Sequence, residues 1–169
     1  MSGGGSLDAL TKQSTDAATE FVDSYYPALQ SARSSLSSFY VPASQMPDGK
    51  TSPSLVFNGN IIPDAIALQD LFEKEMPLAH FEVQSYDCHV LNPDYKVDAP
   101  AGGPPSKPSL SLLLSVSGYV RYGESREGAP RGFSESLVLV PNPDAEGGKG
   151  RGKGRRKWLV QSQSFRLVV

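Results

Sequence analysis

The sequence contains a single cysteine, only two histidines and no long hydrophobic run. One cysteine, Cys88, cannot form an internal disulfide, and it excludes a zinc site built from several cysteines. Because no run reaches the roughly 18 apolar residues that a membrane-spanning helix requires, we expect no membrane partner. The first six residues lack the basic and then apolar layout of a signal peptide. These absences favour a soluble intracellular protein, and no motif indicates a metal or another cofactor.

Charge is nearly balanced over the whole chain but unevenly distributed along it. The sequence has 16 Lys and Arg against 18 Asp and Glu, a net charge of −2. A glycine-rich segment contains six cations and no acidic residue: Lys149, Arg151, Lys153, Arg155, Arg156 and Lys157. Removing these six from the 16 leaves 10 basic residues against 18 acidic ones. The sequence therefore predicts an acidic body with one basic segment.

The first half of the chain has the periodicity of helices, interrupted by one tight hairpin. Apolar residues recur every three or four positions from 7 to 29, which predicts a helix with Ser6 as its N-cap. Pro27 is expected to kink or interrupt that helix, and a shorter amphipathic piece follows at 32–40. The pair Asn58-Gly59 predicts a hairpin with a type I′ turn. A further helix is predicted between Pro63 and Pro77.

The second half has the period of two that is typical of strands. Alternation begins at Leu78 and returns in three long strands, Ser109 to Tyr122, Gly132 to Val140 and Lys157 to Val169. Two long loops are expected, at 92–108 and 141–156, and residues 1–6 form a flexible leader. Helices followed by a run of strands predict one α+β domain over 7–169, with helices packed on one face of an antiparallel sheet.

One face of the predicted strands has an unusual composition. The opposite face of the same strands is rich in Leu, Val and Phe and is expected to pack on the helices. The face in question combines serines with scattered aromatic, apolar and Arg side chains, which is typical of an interface. Small side chains also let a second sheet approach to about 10 Å. We predict that another protein docks there; the alternative is a solvated, serine-rich sheet. The expected docking residues are Leu113, Ser115, Ser117, Tyr119, Arg121, Ser134, Ser136, Val138, Trp158, Val160, Ser162, Ser164 and Arg166.

The basic segment has the composition of a phosphate-binding loop. Glycine alternates with cations, so the backbone is flexible and the charges can neutralise phosphates. Because no aromatic residue is interleaved, we expect electrostatic and sequence-independent contact with RNA. A nuclear localisation signal and a solvated connector are the alternatives.

Several segments, in their order and spacing, resemble the nuclear transport factor 2-like fold, whose helices pack on one face of a curved antiparallel sheet. The resemblance covers roughly residues 7–169. It rests on Phe39-Tyr40, the hairpin at 54–62, Glu75-Met76-Pro77, residues 83–88, Gly118-Tyr119-Val120, Gly132-Phe133 and the ending at 158–167.

Within that fold the pattern is similar to the small subunits of the fungal general mRNA export receptors. The resemblance implies a heterodimer, sheet face to sheet face, with the similar domain of a larger RNA-binding subunit. It also implies binding of nucleoporin Phe-Gly repeats, mRNA export through nuclear pores with shuttling between nucleus and cytoplasm, and a role in export of large ribosomal subunits. A homodimeric carrier for a small GTPase is the alternative of the same fold.

Enzymes of this fold, isomerases and dehydratases, provide a second alternative. Their chemistry uses a general base near an oxyanion donor, for which the candidates are Tyr25, Tyr26, His80, Asp87 and His89. The Leu, Val and Phe side chains of the long strands instead predict a filled core. We therefore expect a protein that is not an enzyme, in which Cys88 is a structural thiol.

Overall fold

The computed structural model describes residues 3–96, 109–124, 128–145 and 156–168, with side chains described from Leu7 onward. Its helices are α1 (Gly3–Ser31), a 3₁₀ helix (Arg33–Phe39), and α2 (Ala65–Asp70), which continues as a π-helical turn (Leu71–Glu75). Its strands are β1 (Ser44–Gln45), β2 (Thr51–Ser52), β3 (Ser54–Phe57), β4 (Asn60–Ile62), β5 (Ala79–Tyr95), β6 (Ser109–Tyr122), β7 (Arg131–Pro141) and β8 (Trp158–Val168).

Six of these strands form one sheet in the order β4-β3-β8-β7-β6-β5, and β1 pairs with β2 in a separate small hairpin. Neighbours in the large sheet are antiparallel except β3 and β8, which are parallel. The helices cover one side of this sheet, where side chains such as Phe21, Leu36 and Leu114 form a single core. The expected arrangement of helices on one face of a mostly antiparallel sheet is confirmed.

The first helix passes through its proline. α1 begins at Gly3, so Gly3–Ser6 of the expected leader are helical and Ser6 is not the N-cap. The expected interruption at Pro27 is also wrong, because α1 continues to Ser31. Proline in a helix interior costs about 3 kcal/mol. Burial of Tyr25 and Leu29 in the core, on either side of Pro27, offsets that cost.

The predicted hairpin is confirmed, whereas the following helix begins at Ala65 and not at Pro63 as expected. Asn58 and Gly59 have φ values of 50° and 82°, as a type I′ turn requires, and they connect β3 to β4. Asp64 is the N-cap of α2, where its carboxylate accepts a hydrogen bond from the Ala67 N–H at 2.8 Å.

The long loops begin later than expected. Strand β5 extends to Tyr95, so the first part of the predicted 92–108 loop is strand. Strand β7 includes Pro141, and residues 142–145 form a turn. Residues 97–108 and 146–155 of the two expected loops, which include the cations Lys149, Arg151, Lys153 and Arg155, lie outside the described residues.

Candidate protein-docking face and the buried network behind it

A bulge in β8 decides which side chains lie on each side of the sheet. Ser162 pairs with Val138 and Val160 pairs with Leu139, so Gln161 is an extra residue on β8. Each residue of β8 before the bulge therefore faces the side opposite to that predicted by strict alternation. The prediction that Val160 is a docking residue is wrong, since it is fully buried in the core beside Leu139.

The same bulge corrects the expected positions of Trp158 and Leu159. Trp158 packs against the core from the side of α1, so it is not part of the docking face either. Leu159, expected in the core, pairs with Val140, and both are buried outside the core cluster. Continuous alternation in the sequence contains no sign of one inserted residue.

The side of the sheet opposite α1, here called the open face, carries the remaining predicted docking residues. Cα partners across the six strands form a central row: Ile61, Val56, Ser164, Ser136, Ser115 and Asp87. Neighbouring rows pair Leu113 with Val138 and Ser162, and Ser117 with Ser134 and Arg166. The middle of the open face is thus a shallow surface of small hydroxyl side chains.

The open face changes in chemistry from one edge to the other. At the β4 edge it is apolar, with Val56 half-buried and Ile61 82% exposed. At the β5 edge it is polar, with the His89 Nε2 atom 3.2 Å from the Asp87 carboxylate. The central serines separate these two ends, so a partner docked here needs apolar groups at one edge and polar groups at the other. The residues of these two edges were not among the expected docking residues, although the hairpin at 54–62 was itself predicted.

The opposite side of the sheet contains a buried polar network at the centre of the core. The Gln163 side chain donates hydrogen bonds to the Tyr25 hydroxyl at 2.8 Å and to the Glu135 carboxylate, and it accepts one from Tyr40 at 2.6 Å. The Tyr26 hydroxyl donates to the other Glu135 oxygen at 2.6 Å. Among the described residues, every buried side-chain nitrogen and oxygen has a hydrogen-bond partner. The network is therefore internally satisfied.

Burial dominates the electrostatics of this network. It raises the pKa of Glu135 to about 7, although the hydrogen bonds from Tyr26 and Gln163 oppose the shift. Burial, with the Glu135 charge nearby, also raises the pKa of the Tyr25 and Tyr26 hydroxyls. Glu135 was not among the expected site residues, and its only signal in the sequence is a charge between Phe133 and Leu137 on the inward side of β7.

The catalytic candidates do not come together in one site. Tyr25 and Tyr26 are buried in the network, whereas Asp87 and His89 are exposed on the open face. His80 lies at the sheet edge, where its Nδ1 atom is 3.1 Å from the Gln30 side-chain nitrogen. Partial burial and the neighbouring Asp87 raise the pKa of the Cys88 thiol to about 11, which makes it a poor nucleophile.

The described part of the chain has neither a membrane-spanning helix nor a cluster of metal-ligating side chains. No helix there is long and apolar enough to cross a bilayer. Within the same residues, no group of three or more His, Cys, Asp or Glu side chains is arranged to hold a metal ion.

The sequence aligns with known proteins over most of its length. NTF2-related export protein 1 of Bos taurus is 25% identical over 155 residues, which cover 92% of this chain and 89% of that protein. NTF2-related export protein 2 of Homo sapiens is 26% identical over 164 residues, covering 96% and 94%.

Solved structures of the same fold match along nearly their whole length. A chain in the complex of the Sac3N peptide with Mex67:Mtr2 has a TM-score of 0.72 and 24% identity, covering 92% of this chain and 99% of that chain. A structure of Mtr2 has a TM-score of 0.69 and 24% identity, with coverage of 92% and 99%. A family model for the nuclear transport factor 2 (NTF2) domain matches residues 17–167, so the chain belongs to the NTF2 domain family.

Proposed function

We propose that this protein is a non-enzymatic nuclear export adaptor that forms a heterodimer through its open face. The observation that carries the proposal is the central row of the sheet, in which the small hydroxyl side chains of Ser164, Ser136 and Ser115 lie side by side. A second sheet can approach such a surface to about 10 Å, whereas Lys or Glu at these positions would prevent it. Relatives named as export proteins, and a solved Mex67:Mtr2 complex of the same fold, support the adaptor role.

The expected partner is a larger mRNA export receptor subunit with its own NTF2-like domain. The heterodimer would bind Phe-Gly nucleoporins, pass through the nuclear pore complex and shuttle between nucleus and cytoplasm. RNA or ribonucleoprotein would be contacted through the basic segment, whose described members are Arg156 and Lys157. Export of pre-ribosomal subunits is the further role implied by the resemblance.

The decisive experiment places a charge in the middle of the open face. Ser136→Glu and Ser164→Glu would each bury an unpaired carboxylate against the partner sheet, a cost of several kcal/mol. We expect both variants to lose a 1:1 complex with a larger protein containing an NTF2-like domain, as measured by co-purification and native mass spectrometry. Ser44→Glu, on the exposed β1 strand, is the matched control and should retain the complex.

Two results would contradict the proposal. One is a 1:1 complex that survives both substitutions while circular dichroism shows that the variants are folded. The other is a wild-type chain that purifies as a homodimer without a larger partner, since that outcome favours the carrier type of this fold.

A further inference from the structure

The last two cations of the basic segment lie beside an aromatic pocket. The pocket has a volume of about 220 Å³ and lies between α1, the 3₁₀ helix and the beginning of β8. Its lining includes Glu20 from α1, Phe39 from the 3₁₀ helix, and Arg156, Lys157 and Trp158 from the chain entering β8. Pockets for drug-sized ligands begin at about 300 Å³, so this one fits a smaller unit such as a single nucleobase.

Arg156 is held in position by contacts on several sides. Its guanidinium carbon lies 3.3 Å above the centre of the Phe39 ring, and its Nε–H donates to the Ser38 hydroxyl at 3.0 Å. Its carbonyl accepts a hydrogen bond from the Asn142 amide at 2.7 Å. A cation fixed by stacking and hydrogen bonds has lost its side-chain freedom before any ligand arrives.

The same asparagine, Asn142, also connects the two ends of this chain segment through its backbone. The Asn142 backbone N–H donates to the Lys157 carbonyl at 2.8 Å, in addition to the contact of its side chain with Arg156. Lys157 is exposed and Trp158 is partly exposed, so both are accessible from solvent. The bulge at Gln161 places Trp158 on this side of the sheet, next to the cations that precede it in the chain.

We propose that this pocket binds one nucleotide of a single-stranded RNA, with the base stacked on Trp158 and the phosphate held by Lys157 and Arg156. The inference rests on the RNA contact of the proposed function and deepens it, because it adds a stacking site to the electrostatic contact. Stacking on an aromatic ring accepts any base, whereas cations at the rim select for phosphate.

The charges of the pocket favour a nucleotide over an acidic peptide. Glu20 would repel a carboxylate inside the pocket, but it can accept a hydrogen bond from a base N–H. An acidic side chain would also leave the Trp158 ring unused. A free nucleotide has the same chemistry as an RNA nucleotide, so the experiment must separate the two sources.

Trp158 is the only tryptophan of the chain, which provides a direct measurement. Its fluorescence is followed while the full chain is titrated with a single-stranded RNA of about ten nucleotides. The other ligands are an abasic oligonucleotide of equal length and a mononucleotide. We expect strong quenching by RNA, weak quenching by the mononucleotide at much higher concentration, and none by the abasic strand. Quenching at equal concentrations of mononucleotide and RNA would overturn the RNA assignment and indicate a free-nucleotide site.

Substitutions separate stacking from charge. Trp158→Leu should weaken RNA affinity about tenfold while leaving abasic-strand affinity unchanged, the selective loss that stacking predicts. Lys157→Gln should reduce the salt slope of RNA binding by about 0.7, whereas Lys50→Gln, an exposed lysine at the β1–β2 turn, should have no effect.

Equal affinity of the wild type for RNA and the abasic strand, without quenching, would overturn the stacking site. Such a result would leave the heterodimer untouched, because retention of the partner is measured separately by co-purification.

Discussion

At the scale of single residues, Glu135 is the most unusual feature of the fold. Its carboxylate is almost fully buried on the inward side of β7, between the Tyr26 hydroxyl and the Gln163 amide. No cation contacts it in the part of the chain that the structure describes. Ionising such a group inside the core is costly, and the raised pKa of Glu135 is the consequence.

Glu135 makes the stability of the domain depend on pH. Its pKa is about 7 in the folded protein against an ordinary value of 4.5, so between these values the folded state binds the extra proton. The contribution of Glu135 to the free energy of unfolding is fully present below about pH 4.5 and is lost as the pH rises through 7. We expect the free energy of unfolding to fall by about 2–3 kcal/mol between pH 5 and 8, measured by urea denaturation at several pH values.

The matched variant for this effect is Glu135→Gln. It keeps the shape of the side chain and removes the titrating group, so the fall in stability between pH 5 and 8 should disappear. Both histidines, which are exposed in the structure, are present in wild type and variant alike and do not distinguish them. An equal pH dependence in wild type and variant would show that another group is responsible.

At the scale of elements, Arg33 connects the end of α1 to the π-helical turn that follows α2. The Arg33 guanidinium donates to the carbonyls of Phe72 at 2.6 Å, Met76 at 2.9 Å and Pro77 at 2.7 Å, while its Nε–H donates to Leu29 at 2.7 Å. The end of α1 and the π-helical turn thus share one side chain. The last carbonyls of a helix lack a backbone N–H donor from a following turn. Arg33 donates hydrogen bonds to such carbonyls in both segments.

Removing this connection should loosen the helical layer. We expect Arg33→Met to lower the free energy of unfolding by about 2–3 kcal/mol, because several charge-assisted hydrogen bonds are lost together. Arg33→Lys should recover only part of the loss, since an ammonium lacks the planar fork that reaches several carbonyls. Lys12→Met, which removes an exposed pair with Asp16, should leave stability nearly unchanged in the same assay. Equal effects of Arg33→Met and Lys12→Met would contradict the role of Arg33.

At the scale of the whole molecule, the sheet divides the protein into a filled side and an open side. The filled side contains the helices, the core and the satisfied network around Tyr25 and Tyr26. The open side presents small, apolar and charged groups in separate zones. Under the proposed function, the filled side provides stability and the open side provides the surface for association.

A substitution of Ile61 tests whether the open face contributes to association and not to stability. Ile61 is 82% exposed at the apolar edge of the open face, so Ile61→Ser should leave the unfolding midpoint nearly unchanged. The same change should weaken the heterodimer about fivefold, because an apolar contact worth about 1 kcal/mol is lost, as measured by calorimetric titration. Ile66→Ser, at an exposed isoleucine of α2, is the control and should leave affinity unchanged. Equal affinities of the two variants would exclude Ile61 from the interface.

Local signals determined the elements and most of the open face. The Asn58-Gly59 turn and the alternation of β6 and β7 were readable because turn chemistry and side-chain alternation extend over only a few residues. Serines at 115, 117, 134 and 136 consequently face the side that alternation predicts.

The sequence by itself determined an α+β domain with one serine-rich sheet face and one basic segment, because periodicity and composition are local properties. Only the tertiary structure decided that Gln161 is an inserted residue, that Trp158 therefore joins the helical side beside Arg156, and that Glu135 meets Gln163 and Tyr26 in the core. Each of these depends on pairing between segments far apart in the chain. Such pairing is selected by the packing of the whole molecule, which no short stretch of sequence encodes.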